Sequence, residues 1–278
     1  MSYHTILVHA DSSRHTGARV RLAAYLARAG GAHLIGLAAT GLSRYVYQSG
    51  IAYGMPILPS DIAQLTERAQ RDLREFDRMA SAEGVLSYEA RLVDDESEGG
   101  LVLQSRYADL LVVGQTDPDE PATGLLDQLP EFLMLHSARP VLIVPYAGVA
   151  ATVGTRPLVA WDGGMAATRA ITAALPLLRR AERAVLAVFN PSGGYGLHGE
   201  EPGADMALFL ARHGVKVDVL VRSSVVDVGD ALLSLAAEQQ SDLLVMGGYG
   251  HTRFRETCLG GVTRTVLRDM TLPVLMAH

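Results

Sequence analysis

A glycine-rich stretch near the carboxyl end of the sequence has a spacing that suits phosphate binding. The apolar segment Asp242–Met246 leads into Gly247 and Gly250, and nine further residues precede Gly260 and Gly261. Glycine lets the backbone approach a ligand closely and adopt positive φ angles. A helix beginning at the last two glycines would add unpaired N–H groups and the positive end of its dipole. This spacing therefore predicts a phosphate-binding loop between a strand and a helix.

Other means of holding a phosphate are scarce in this sequence. Lys216 is the single lysine beside 23 arginines, so the phosphate loop that needs Gly-Lys-Ser/Thr is absent. Backbone N–H groups, hydroxyl groups and arginine side chains would have to hold the anion. The nine histidines form no pair at helical i, i+4 spacing and have no cysteine companions, so we predict no zinc site.

The sequence contains an internal repeat of domain size. A strand of the pattern Asp-Leu-Leu-Val occurs in each half, as do a Pro-Val-Leu segment and an apolar strand that ends in Asp. The matched pairs are Ala108–Gly114 with Ser241–Gly247 and Pro140–Ile143 with Pro273–Met276, both at an offset of 133, and Ile6–Asp11 with Pro157–Asp162 at an offset of 151. The difference in offset places extra chain, Ser43–Ser60, in the first half. A repeat of this period predicts two similar domains, at residues 1–147 and 155–278.

Strands and helices alternate along both halves, which predicts parallel sheets covered by helices on both faces. Ligands of such sheets bind at the carboxyl ends of the strands. Asp162 follows the first strand of the second half, and the glycine-rich loop follows the fourth. We therefore expect both features at the same edge of one sheet. The predicted strands are Thr5–His9, His33–Ala39, Tyr88–Val93, Leu110–Val113, Val141–Val144, Pro157–Trp161, Ala184–Phe189, Lys216–Arg222, Leu243–Met246 and Val274–Met276.

Composition excludes several other classes of protein. Of the 278 residues, 49% are hydrophobic and 19% charged, which predicts a well-packed core. No apolar run reaches the ~18 residues of a membrane span, so no membrane partner is expected. The net charge of −6 without a basic block argues against nucleic acid as the partner. A single cysteine, Cys258, and a first strand that leaves no room for a signal peptide predict a cytoplasmic protein.

The strand-one Asp162, the Asp-Leu-Leu-Val-Met-Gly strand, the Gly-x-x-Gly-x9-Gly element and the closing Pro-Val-Leu together resemble the universal stress protein family. The resemblance covers both halves, so the chain is identified as a tandem member. It implies two α/β domains of the adenine nucleotide α hydrolase-like (Rossmann-like) class. Each would hold a five-stranded parallel sheet in the order 3-2-1-4-5, with helices on both faces. Family members with the full glycine motif bind ATP, and members without it generally do not.

The resemblance also implies a nucleotide site in the second domain. Residues after the first and second strands would surround adenine, and the glycine loop and the following helix start would meet ribose and phosphates. The implied set is Ala160, Asp162, Val188, Met246, Gly247, Tyr249, Gly250, Gly260, Gly261, Val262 and Thr263. The cofactor would be ATP with Mg²⁺, with ADP or AMP as alternatives. Simple capping of the next helix is the alternative role for Asp162.

One departure from the family pattern lies at the end of the glycine motif. The family usually has Ser or Thr directly after the last motif glycine, where this chain has Gly261. One hydroxyl contact is lost, although the N–H group remains and Thr263 could partly replace the hydroxyl. A neutral hydrogen bond contributes about 0.5–1.5 kcal/mol net, so we expect ATP binding to be weakened by about tenfold.

The first half departs much further from the motif. Gly114 is retained, but Asp117 stands at the position of Gly250. Asp127, Gln128 and Pro130 stand at the positions of Gly260, Gly261 and Thr263. Two carboxylates would repel an anion, and proline removes an N–H donor. Asp11 is retained but has the same alternative role as a helix cap. We therefore predict that the first domain has a degenerate nucleotide site.

Three functions are consistent with these residues. The first is a tandem universal stress protein that binds one ATP in the C-terminal domain and acts in stress response or regulation, with slow ATP hydrolysis at most. The second is an ATP-using transferase on a related fold, and the third is a nucleotide-free interaction or scaffold protein. The resemblance implies that the domains pair through their fifth strands as an intrachain pseudo-dimer. A homodimer and an unidentified protein partner are further expectations.

Overall fold

The computed structural model describes residues 2–42, 59–120, 128–149, 152–191, 201–249 and 261–278. The chain divides into two compact units, Ser2–Val141 and Leu142–His278. This division falls a few residues before residue 147, the predicted end of the first domain. The predicted domain limits at 147 and 155 therefore stay predictions. The extra chain of the first half lies almost entirely outside the described residues.

The first unit alternates strands and helices as predicted. Its strands are parallel and lie in the order β3-β2-β1-β4. At the end of the unit, Pro140 accepts a backbone hydrogen bond of 3.1 Å from Leu111 of the fourth strand. The elements are β1 (Thr5–His9), α1 (Thr16–Gly30), β2 (His33–Ala39), α2 (Pro59–Ala82), β3 (Tyr88–Val93), α3 (Ser97–Ser105), β4 (Leu110–Gly114), α4 (Leu129–His136) and β5 (Val141–Val144), the last of which spans the division.

The second unit contains a complete parallel sheet in the order β10-β9-β6-β7-β8. Numbered from the start of that half, this is the order 3-2-1-4-5 read from the other edge, so the predicted topology is confirmed. The elements are β6 (Pro157–Ala160), α5 (Met165–Leu178), β7 (Ala184–Phe189), α6 (Ala204–Arg212), β8 (Val217–Arg222), α7 (Val228–Glu238), β9 (Leu243–Gly247), α8 (Gly261–Asp269) and β10 (Val274–Ala277). Within the described ranges, no helix is long and apolar enough to cross a membrane.

The central strands are buried because helices cover both faces of each sheet. The side chains of Ile6, Leu7 and Val8 in β1, and of every residue of Leu243–Val245 in β9, are fully buried. Continuous apolar runs are typical of strands that have no solvated face. The polar residues of these strands therefore lie at the two edges of the sheet, where the strands begin and end.

The repeated Asp-Leu-Leu-Val pattern has the same structural role in both units. Its aspartate lies at the amino edge of the sheet, where the carboxylate accepts hydrogen bonds from two consecutive backbone N–H groups at the start of the first strand. The donors are His4 and Thr5 to Asp109, at 2.8 and 3.0 Å, and Thr155 and Arg156 to Asp242, at 2.8 and 2.9 Å. These aspartates therefore join strands one and four and stand at the edge opposite to the predicted ligand site.

Candidate functional site

The carboxyl edge of the second sheet brings together the predicted adenine residues. β6 lies between β7 and β9, and it ends at Ala160, two residues before Asp162. Val188 lies on β7 and is fully buried, whereas Asp162 is exposed. This edge therefore combines an exposed carboxylate with the buried apolar ends of the neighbouring strands.

Asp162 is held in a tight turn and does not cap a helix. Its Oδ1 accepts a hydrogen bond of 2.8 Å from the N–H of Gly164, and Gly163 has a φ of 78°. The N-cap of α5 is Gly164, without a side-chain cap. The capping alternative for Asp162 is therefore wrong, because the turn through Gly163 moves the helix start two residues along the chain.

Gly247 is required by the packing of α5. A Cβ atom at this position would lie 2.4 Å from the backbone N of Ala167 and 2.7 Å from the carbonyl C of Ala166. The first turn of α5 therefore lies directly against the end of β9, and any side chain would collide with backbone. This contact gives the motif glycine a structural role in addition to the predicted ligand contact.

The residues that follow β9 are fixed by β10 and α8. The N–H of Gly248 donates to the carbonyl of Ala277 at 3.0 Å. The carbonyl of Gly248 accepts from Nδ1 of His278, also at 3.0 Å. Tyr249 has a φ of 52°, an uncommon conformation for a residue other than glycine. Its N–H donates to the hydroxyl of Thr263 at 3.3 Å. The loop is thus drawn to the start of α8 before the chain reaches Gly250.

The start of α8 is open at Gly261 and closed at Thr263. Gly261 is exposed, Val262 is half-buried, and Thr263 is 3% exposed. The Thr263 hydroxyl, which we expected to replace a missing phosphate contact, accepts the hydrogen bond from the loop backbone. Gly250 and Gly260 lie outside the described residues, and their predicted contacts stay predictions, as do those of the other site residues.

A carboxylate that the sequence did not reveal borders the start of α8. Asp227 is the N-cap of α7, and its Oδ1 accepts hydrogen bonds from the N–H groups of Gly229 at 2.8 Å and Asp230 at 3.4 Å. A Cβ atom on Gly261 would lie 3.7 Å from Asp227 Oδ2. The sequence is consistent with Asp227 as a helix cap. Its Oδ2 lies beside Gly261 only because α7 packs on α8, which the sequence does not show.

The equivalent edge of the first unit is filled by an arginine. Arg19 is 3% exposed, and it donates from Nη2 to Asp11 Oδ1 at 2.6 Å and from Nε to the carbonyl of His9 at 2.8 Å. A Cβ atom on Gly114 would lie 2.5 Å from Arg19 Nη1. The N-cap of α1 is His15, so the capping alternative is wrong for Asp11 as well.

The charges of this buried cluster compensate one another. Burial opposes ionisation of Asp11, but the Arg19 guanidinium, together with His9 and the Thr16 hydroxyl, holds the pKa of that carboxyl well below its usual range. Burial lowers the pKa of His9 to about 4, which keeps the ring neutral at neutral pH. Asp11 is therefore an internal ion-pair partner in the first unit, whereas its counterpart in the second unit is exposed.

Asp117, which replaces a motif glycine, is also paired. Its Oδ2 accepts from Arg14 Nη2 at 2.5 Å and contacts His15 Nε2 at 2.8 Å, and its Oδ1 accepts from the N–H of Asp119 at 2.9 Å. These hydrogen bonds, that from Arg14 above all, hold the pKa of Asp117 well below its usual range. We expected Asp117 and Asp127 to repel an anion. Asp117 is paired with the Arg14 guanidinium and Asp127 lies outside the described residues, so this repulsion stays a prediction.

His15, Asp117 and Glu120 bring three metal-ligand atoms within 4.8 Å of one another. However, the Arg14 guanidinium contacts both carboxylates, at 2.5 Å from Asp117 and 3.5 Å from Glu120. Glu120 also accepts from the hydroxyl of Ser13 at 2.7 Å and from the N–H of Arg14 at 2.9 Å. The cluster is therefore an ion-pair network that supplies its own cation.

Comparison with known proteins agrees with this architecture. Residues 155–278 match the model of the universal stress protein family. A universal stress protein from Archaeoglobus fulgidus aligns over 98% of this chain and 95% of its own, with 19% identity and a TM-score of 0.77. One from Pseudomonas aeruginosa, described as putative, aligns over 98% and 92%, with 19% identity and a TM-score of 0.58.

A universal stress protein solved in complex with cAMP is 29% identical over 52% of this chain and 98% of its own, with a TM-score of 0.38. The comparison with curated proteins gives no match. The family match thus covers the second half of the chain, and the two repeated halves fit a tandem arrangement of the universal stress protein fold.

Proposed function

We propose that the second half of the chain binds one adenine nucleotide at the carboxyl edge of β6, β7 and β9. The observation that carries this proposal is the convergence of three features at one edge. Asp162 presents an exposed carboxylate, Gly248 is hydrogen-bonded to Ala277 of β10, and Tyr249 donates its N–H to Thr263 in the first turn of α8. Adenine nucleotides need such a combination of a base pocket and a phosphate-binding backbone.

The base would lie over the ends of β6 and β7. The Asp162 carboxylate can accept hydrogen bonds from the amino group of adenine or from ribose hydroxyls. The Val188 side chain is directed to the start of α6, because a Cβ atom on Gly203 would lie 3.0 Å from its Cγ2. A base would therefore meet the main chain of Val188 and the small side chain of Ala160.

The phosphates would lie at the start of α8. The first-turn N–H groups of a helix have no intrahelical acceptor, and the helix dipole favours negative charge at this end. Gly261 leaves the approach to these groups open. Because the Asp227 carboxylate borders the same position, we include Mg²⁺ in the proposal: a divalent cation bound to the phosphates would offset the repulsion between Asp227 and the nucleotide.

The first half would bind no nucleotide, because its edge is filled by the Arg19–Asp11 pair and by the network of Arg14 and Asp117. The proposed stoichiometry is therefore one nucleotide per chain. We propose that binding serves stress response or regulation, with slow hydrolysis at most, and that a protein partner reads the nucleotide state. Pairing of the domains through their fifth strands and a homodimer belong to the same proposal.

Isothermal titration calorimetry with ATP and Mg²⁺ tests this proposal on three proteins: wild type, Gly261→Asp and Gly261→Ser. A Cβ at Gly261 makes only an ordinary contact, at 3.7 Å, so both variants should fold. We expect about one ATP per chain for wild type. The serine hydroxyl should tighten binding by about tenfold, and the added carboxylate should abolish it. Titrations with ADP and AMP measure the contribution of each phosphate.

The titration separates the alternatives. Absence of binding to wild type would overturn the nucleotide site and favour an interaction protein. Two nucleotides per chain would contradict the filled edge of the first half. Asp227→Asn addresses the Mg²⁺ component, since asparagine is also a good N-cap. We expect this variant to bind ATP more tightly than wild type when Mg²⁺ is removed, by about threefold, and to depend less on the metal.

A further inference from the structure

We propose that His278 is a positioning residue that holds Gly248, the residue directly after β9, in the conformation that binds the nucleotide; this inference rests on the proposed nucleotide site. Two consecutive residues at the end of β10 hold both backbone groups of Gly248. Ala277 accepts from its N–H at 3.0 Å, and His278 Nδ1 donates to its carbonyl at 3.0 Å. Because a carbonyl can only accept, this ring nitrogen carries the proton.

A second contact fixes His278 itself. Arg169 of α5 donates from Nη1 to the main-chain oxygen of His278 at 2.8 Å. The first turn of α5 also lies against Gly247, the residue directly before Gly248. His278 therefore links α5, through the end of β10, to the start of the loop.

The two hydrogen bonds that Ala277 and His278 make with Gly248, together called the clamp, would increase the affinity for nucleotide through preorganisation. A glycine loses more conformational freedom than any other residue when it is fixed, so an unclamped Gly248 would have to be ordered by the ligand. The next residue, Tyr249, donates its N–H to Thr263 in the first turn of α8. Order at Gly248 therefore extends to the helix start at which the phosphates are proposed to bind.

The first half lacks the clamp. At the repeat offsets, Pro145 stands at the position of His278, Gln115 at that of Gly248 and Ala18 at that of Arg169. Proline has no side-chain donor, and alanine cannot reach a carbonyl. The clamp is thus present in the half that carries the glycine loop and missing from the half whose edge is filled by its own side chains.

Calorimetry on His278→Ala, His278→Asn and His213→Ala tests the clamp. The last variant is a matched control, since His213 Nδ1 makes the same kind of bond, at 2.9 Å to the carbonyl of Phe209 on α6. We expect His278→Ala to weaken ATP binding by about three- to tenfold at unchanged stoichiometry, the range expected for one hydrogen bond. Asparagine offers an N–H donor near the same place and should restore most of the affinity, and His213→Ala should bind like wild type.

Hydrogen–deuterium exchange without nucleotide gives an independent measure. Peptides that cover Met246–Tyr249 should exchange about three- to tenfold faster in His278→Ala than in wild type, and at the wild-type rate in His213→Ala. If wild type fails to bind nucleotide, the proposed function fails, and the exchange experiment alone decides on the clamp. Unchanged exchange in His278→Ala, or reduced affinity that asparagine does not rescue, would overturn the inference.

Discussion

The carboxyl edges of the two sheets derive from the same repeat but differ in what occupies them. In the second unit, Asp162 is exposed and Gly247 admits the first turn of a helix. In the first unit, the corresponding Asp11 is paired with Arg19, which stands at the position of Ala170 and fills the space beside Gly114. The comparison teaches that the same edge of this fold can be occupied by side chains of the chain itself, held there by an ion pair.

Arg19→Ala should have the largest effect on stability, because it removes the ion pair that distinguishes the edge of the first unit. Removal of one partner of a buried ion pair leaves an uncompensated charge, so the free energy of unfolding should fall by about 3 kcal/mol. Urea denaturation measures the loss. Arg28→Ala is the control. Arg28 is exposed, and its Nη1 lies 3.8 Å from the Glu83 carboxylate and donates to the Glu83 carbonyl at 2.8 Å, so its loss should cost about 0.5–1 kcal/mol.

The double variant Asp11→Asn/Arg19→Ala sharpens this test. It removes both charges, so it should be more stable than Arg19→Ala alone. An Arg19→Ala protein as stable as Arg28→Ala would show that the ion pair does not support the first unit.

Gly247→Ala and Gly114→Ala compare the two motif glycines directly. A Cβ at Gly247 meets helix backbone at 2.4 Å, and we expect a loss of about 2–3 kcal/mol because backbone cannot move aside. At Gly114 the obstacle is the end of the Arg19 side chain, which can shift, so the loss should be about 1 kcal/mol. Thermal or urea unfolding of both variants measures the difference. Equal losses would contradict the distinction between the edges.

Asp162→Ala and Asp11→Ala separate ligand binding from stability. We expect Asp162→Ala to weaken ATP by about tenfold through the loss of a hydrogen bond to a charged group, with little change in unfolding. Asp11→Ala should lower stability but leave the ATP affinity unchanged if, as we propose, its edge binds no nucleotide. Calorimetry and urea denaturation on both proteins give the four values. A change in ATP affinity in Asp11→Ala would contradict the assignment of the site to the second half.

The smallest expected effect concerns Asp72 on α2. Burial, with the nearby charge of Asp11, raises the pKa of Asp72 to about 6. A carboxyl whose folded pKa lies above its unfolded value costs stability as pH rises between the two values. Asp72→Asn should therefore increase the free energy of unfolding by about 1 kcal/mol at pH 7, after allowance for solvent screening, and by almost nothing at pH 4. An equal gain at both pH values would contradict the electrostatic origin.

The sequence predicted the architecture better than the site. Apolar periodicity located the described strands to within one residue at each end, and the repeat with the family resemblance predicted the strand order. Periodicity sufficed because buried strands of parallel sheets are continuous apolar runs.

The side chains that decide the function of each edge were not predictable in the same way. Arg19 lies on a helix face whose rotation against β4 is set by packing, so the sequence alone does not show that it reaches Asp11. An alignment of the two halves does show the signal, since the equivalent residue is Ala170. His278 was missed because its contact with Gly248 depends on the placement of β10 beside β9.

The aspartates at the amino edges of the two sheets bear on the evolutionary origin of the chain. Asp109 and Asp242 make the same pair of backbone contacts in both units. A repeat of this size implies duplication of an ancestral domain, which would have copied both edges of the sheet together. One edge has since kept its inherited contacts in each copy, while the other has diverged. The contacts that join the strands and the residues at the opposite edge have therefore diverged to different extents within a single chain.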